Sequence, residues 1–116
     1  MTLESDASVR GSTSAPGRVT VQLVQKVVAR HYNMSVQQLL ERTRRHAIAR
    51  PRQVAMYLAC TATQASLPDI GARFGGFDHT TVMYARDRIA ALIETDAELK
   101  SDVQKLTRLI KNPTST

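Results

Sequence analysis

Cysteine is almost missing from this chain: Cys60 is the single one in 116 residues. One thiol excludes an internal disulfide framework and any zinc site built from clustered cysteines, and it fits a reducing compartment. No apolar run approaches the ~20 residues a membrane span needs, and no signal-peptide pattern opens the sequence. The phosphate-binding pattern G-x-x-x-x-G-K-[ST] does not occur, so nothing marks an ATPase. His31 and His46 stand alone without metal-ligand spacing and read as surface residues. No stretch alternates with period two over a strand's length, so no sheet is expected.

What is present is the 42% hydrophobic and 22% charged balance of an ordinary globular domain, which argues against wholesale disorder. The formal net charge is +6. Between Lys26 and Arg88 ten basic residues face four acidic ones, so this middle segment holds the whole excess. A localised positive field points to a polyanion, nucleic acid or an anionic membrane. Arginine outnumbers lysine there, and its planar fork suits phosphate and guanine.

Residues 1–18 are rich in Ser, Thr, Gly and Ala without an apolar period, and read as a flexible tail; 112–116 read as another. Between them, 19–111 read as one all-α domain. A helical period begins at Val19, with Val21, Val24, Val28 and Tyr32 on one face. Ser35 caps a short helix through Thr43 with Val36, Leu39 and Leu40 inward. Arg44 to Arg50 break the period and are placed in a basic loop. Pro51 then opens a helix to about Ala65 that buries Val54, Leu58 and Ala62. Ser66 caps the next, Pro68 sits near its start, and Ile70 and Phe74 form an i, i+4 pair. Gly75-Gly76 ends it, as glycine accepts the left-handed conformation of a helix stop. Asp78 caps a long helix with Val82, Ala85, Ile89 and Leu92 inward. Asp96 caps the last, carrying Leu99, Val103, Leu106 and Ile110, and Asn112-Pro113 stops it.

Leu67–Phe74 and Asp78–Glu94, joined by the glycine turn, make a helix-turn-helix pattern. His79, Thr80 and Met83 lie opposite the inward face, at the end of the second helix that usually enters a major groove. Asp78 can accept from cytosine N4, threonine methyls can meet a thymine methyl, and the positive helix N-terminus favours phosphate. Asp78 is also a helix cap in its own right. His79 beside two threonines does not make a catalytic pair, because neighbours on a helix diverge and no carboxylate is placed to orient the imidazole. Cys60, mid-helix among small residues, reads as a structural thiol.

I-G-A-R-F-G-G-F-D-H-T-T-V, from Ile70 to Val82, preceded by A-R-P-R-Q from Ala49 to Gln53, resembles the DNA-binding C-terminal domain of the bacterial DnaA initiator family. The resemblance covers Val19 to Ile110. It implies a six-helix domain that binds a short, asymmetric, A·T-rich box of double-stranded DNA through both grooves. It assigns base reading in the major groove to Asp78, His79 and Thr80, and thymine-methyl contacts to Leu67 and Pro68. Arg44 is assigned to the minor groove, and Arg45, Arg52, Gln53, Thr63 and Thr81 to phosphates. A loop arginine suits a narrow, electronegative minor groove, and Arg52 at a helix start suits phosphate. Two positions depart from the family pattern: Phe77 and Cys60 stand where basic residues are usual, which removes two expected phosphate contacts. Phe77 is expected to leave an exposed ring at the turn.

The function implied is sequence-specific binding at such boxes without the family's ATPase module, with a role in chromosomal replication initiation or its regulation. The alternatives are a small transcriptional regulator at the same boxes, or an interaction module using the basic face or the last helix. No catalysis, metal, cofactor, small-molecule ligand or membrane is expected. The expected partners are double-stranded DNA and the full-length replication initiator, in the cytoplasm at the nucleoid.

Overall fold

The structure, a computed structural model, describes residues 19–111. The tails expected at 1–18 and 112–116, and the stop expected at Asn112-Pro113, lie outside the described residues. Six helices follow one another with no strand among the described residues: α1 Val21–His31, α2 Val36–Leu39, α3 His46–Ala62, α4 Leu67–Arg73, α5 His79–Ile93 and α6 Ala97–Lys111. The all-α, six-helix reading holds.

Most boundaries are set by side chains that satisfy the orphan N–H groups of a helix start. Thr20, Ser35, Ser66 and Asp78 each accept from a backbone N–H one turn in. Ser35 and Gln38 close a reciprocal capping box, and Asp96 Oδ1 accepts from Leu99 N at 3.0 Å. At its far end α1 stops where Asn33 turns left-handed, with φ 58°, a conformation asparagine tolerates better than most residues.

α3 is the central helix and packs against each of the other five. Val54, Ala55, Met56, Leu58 and Ala59 from it meet Val24 and Val28 of α1, Leu39, Ile70, Phe74, Val82, Ile89, Leu106 and Ile110 in one core. Phe74 is fully buried, and burying a side chain of this kind contributes about 1.5–3 kcal/mol. Polar ties fasten the edges: the Gln25 side chain donates to Arg73 O at 2.9 Å, and His31 Nε2 lies 3.3 Å from Asp102. His31 is therefore half-buried and paired, not the free surface histidine expected; His46 is exposed. Burial, then the nearby Asp102, pushes the Tyr32 hydroxyl up to about 12.

Two boundaries differ most from the sequence reading. α2 ends at Leu39 instead of continuing to Thr43, because residues 41–45 have no apolar side chain to bury. α3 begins at His46, five residues before Pro51, so Arg45 to Arg50 are mostly helical. Proline removes only the bond to the carbonyl four residues back, and Ile48 and Pro51 are both buried, which holds the first turns in place. The basic loop is thus 41–45.

Candidate nucleic-acid interface

The turn between α4 and α5 is built by close backbone approach. Gly75 and Gly76 both have positive φ, at 97° and 93°, and Gly76 N and Phe77 N both donate to Gly71 O, at 3.1 and 2.9 Å. A Cβ on Gly71 would lie 2.1 Å from the Phe77 carbonyl oxygen, so only glycine lets α4 meet the start of α5 there.

From this turn α5 presents its first turn to solvent. Asp78, His79, Thr80 and Thr81 are exposed, while Val82, Ala85 and Ile89 face inward. Asp78 Oδ2 accepts from Thr80 N at 3.1 Å and from the Thr80 hydroxyl. These bonds, the hydroxyl's first, hold the Asp78 carboxyl below its usual value. Asp78 Oδ1 lies 3.6 Å from His79 Nδ1. A carboxylate does therefore stand beside the imidazole, contrary to the sequence reading. Catalysis still gains nothing from it, since the Thr80 hydroxyl donates to the carboxylate and not to the ring. The arrangement fixes the orientation of three exposed polar groups at a positive helix end.

Leu67 and Pro68 sit at the start of α4, Leu67 half-buried and Pro68 exposed. Arg44 and Arg45 are exposed on the 41–45 loop. Gln53 on α3 and Thr63 at its end are partly exposed, and the Thr63 hydroxyl donates to Ala59 O at 2.6 Å.

Two expectations are corrected here. Arg52 is neither at a helix start nor free: it lies in the second turn of α3 and is 9% exposed. Its terminal nitrogens donate to Glu41 O at 2.5 Å and Thr43 O at 2.9 Å. Burial, then neighbouring Arg42, lowers its pKa. Phe77 does not present a free ring either; it is half-buried against the core. The Arg42 guanidinium stands 4.5 Å from its ring centroid and that of Arg52 4.9 Å, both within cation–π reach. Arg42 also donates to Gly76 O at 3.1 Å and makes a longer contact with Gly75 O at 3.4 Å. Phe77 and these two arginines form a clasp that ties the basic loop to the helix-turn-helix. Sequence reasoning missed Arg42 and the bracing role of Arg52, since burial of an arginine by carbonyls distant in sequence leaves no periodic signal. It also passed over Tyr84, which a helical projection places next to Met83 on the outward face.

Cys60 is partly exposed on α3, and burial pushes its thiol up, in keeping with a structural cysteine. None of the described helices is long and apolar enough to cross a membrane.

Comparison with known proteins matches this architecture. The family model described as the bacterial dnaA protein helix-turn-helix matches residues 21–89. Chromosomal replication initiator proteins DnaA from Rhizobium johnstonii and Brucella abortus are each 50% identical to this chain, over 82% and 84% of it. That from Cereibacter sphaeroides is 49% identical over 81%. The chain spans about a fifth of the length of these relatives. With α4, the glycine turn and α5 as far as Ile89 inside the matched segment, the chain belongs to the bacterial DnaA helix-turn-helix family.

Proposed function

We propose that this chain binds double-stranded DNA sequence-specifically, at short boxes of the kind bound by DnaA initiators, and thereby takes part in or regulates replication initiation. One observation carries the reading: the exposed Asp78–His79–Thr80 start of α5 and the exposed Arg44–Arg45 loop are joined through Phe77. In this reading α5 enters the major groove, where His79 and Thr80 meet base edges and Asp78 orients Thr80 while its remaining oxygen can accept from cytosine N4. Leu67 and Pro68 meet thymine methyls. Arg44 enters the adjoining minor groove, and Arg45, Gln53, Thr63 and Thr81 hold phosphates, which set the register. Arg52 acts through the loop that it braces. The chemistry is recognition, with no bond made or broken, at the nucleoid.

The test is a titration of the chain against a DnaA-type box and against random duplex of the same length, at several salt concentrations. Affinity for the box exceeding that for random duplex by ~10³ or more supports the proposal. Equal affinity for both sinks it and favours an interaction module with a basic face.

A further inference from the structure

On this reading of α5 as the base-reading helix, we infer that Tyr84, with Met83 beside it, extends the reading face by a second patch that selects thymine. Tyr84 is 60% exposed and Met83 37%, and they are the exposed large hydrophobic side chains among the described residues. Both lie on α5, adjacent in sequence, and among the described residues no other helix leaves a large apolar side chain exposed. Leaving a phenol ring and a thioether in water gains nothing for the fold, and side by side on this face they offer an apolar surface to a bound partner.

The geometry names that occupant. Successive residues of a helix are rotated by about 100°, so Tyr84 lies within about 40° of Thr80, one turn further on, and Met83 flanks the same line from the other side. Thr80, Met83 and Tyr84 therefore form one continuous outward surface, opposite Val82, Ala85 and Ile89. Four residues of helix advance about 6 Å, against about 3.4 Å per base pair. The second patch thus falls up to roughly two base pairs from the contact of Thr80. An aromatic face and a thioether offer dispersion and dry surface, and the one apolar group displayed in the major groove is the thymine C5 methyl. One turn beyond, the Asp87 carboxylate accepts from Arg86 Nε at 3.0 Å, and the surface becomes charged.

The experiment uses the whole chain and randomised DNA duplexes, from which the parent, Thr80→Ala, Tyr84→Ala and Tyr84→Phe each select preferred sites. In the parent's site, each thymine is then replaced by deoxyuridine, which removes only the methyl. The expected result is that Tyr84→Ala loses preference at one position, up to two base pairs from those lost in Thr80→Ala. At that position the deoxyuridine probe should weaken the parent about fourfold, the worth of one methyl-sized group removed from water, and leave Tyr84→Ala unaffected. Tyr84→Phe keeps the ring and should behave as the parent. A Tyr84→Ala variant with the parent's preference at every position overturns the inference, as does one that only melts earlier. A parent that enriches no sequence overturns the DNA-reading proposal itself. A parent that selects a site through Thr80 but not Tyr84 overturns this inference alone.

Discussion

α5 and α6 are both fifteen residues long, both begin under an aspartate cap and both lie against α3, yet they divide their surfaces differently. α6 buries Leu99, Val103, Leu106 and Ile110 at even helical spacing and turns Lys100, Ser101, Gln104, Lys105 and Arg108 to water. α5 buries only Val82, Ala85 and Ile89, two of them small, and presents polar groups at its start and an exposed Met83 and Tyr84 beyond. A helix kept for support puts its apolar residues inside and charges outside. A helix kept for contact is anchored by fewer, smaller residues and leaves uncovered a surface that folding does not need. Changes to α6 should therefore be felt in stability and changes to the outer face of α5 in binding.

The largest effect is expected where support is removed. Leu106→Ala, at a fully buried position, should destabilise by about 2–5 kcal/mol, read by denaturant unfolding, while the folded fraction ranks DNA sequences as the parent does. Altered ranking would break the division. The second effect falls on the joint between the regions. Phe77→Arg, which in a free position would add a phosphate contact, here sets a third guanidinium beside Arg42 and Arg52 and removes the ring that they share. Stability should fall by about 1–3 kcal/mol, measured as a lower Tm. Tighter binding at unchanged Tm would mean that the clasp contributes nothing.

On the contact side, Arg44→Ala should weaken box binding by about 1–3 kcal/mol and change folding stability by less than about 0.5 kcal/mol. The loss should be greater on an A·T flank than on a G·C one; equal losses would reduce Arg44 to a phosphate contact. His79→Ala should lower box affinity while leaving affinity for random duplex nearly intact, since base edges carry the sequence information. The smallest effect concerns the cap of α5. The folded carboxyl of Asp78 is held below its ordinary 3.8. A depressed value stabilises the fold above the unfolded pKa, and that contribution is lost as pH falls through the folded value. Acid titration of thermal stability below pH 3.8 should therefore show a small decline that Asp78→Asn removes. A decline of the same size in the variant would assign it to other carboxylates.

The helices that close with a side-chain cap and bury a regular stripe were legible from residues alone: α4, α5 and α6 start where Ser66, Asp78 and Asp96 announce them. α3 was not, because Arg45 precedes it with no capping side chain and the basic run hides the buried Ile48. The outward positions of His79 and Thr80 followed from helical period. The companions of Phe77 did not. Arg42 and Arg52 reach it across contacts that join residues far apart in the chain, and a charged side chain that finds backbone carbonyls behaves inside the fold as no local pattern foretells.

The clasp also changes what binding has to accomplish. Fixing a loop residue costs about 1–2 kcal/mol of backbone entropy. In this chain residues 41–45 meet that cost when the protein folds, because Arg42 and Arg52 already hold the carbonyls of Glu41, Thr43 and Gly76. In the proposed binding mode the loop and the start of α5 arrive pre-assembled, recognition is expected to proceed as docking with little reorganisation, and substitutions in these two segments should act mainly on dissociation rates. The same arrangement withdraws the buried Arg52 guanidinium from counterion release. Each phosphate neutralised steepens the salt dependence by about 0.9 in the log–log slope, and Arg52 lends its charge to steering the approach without adding to that count.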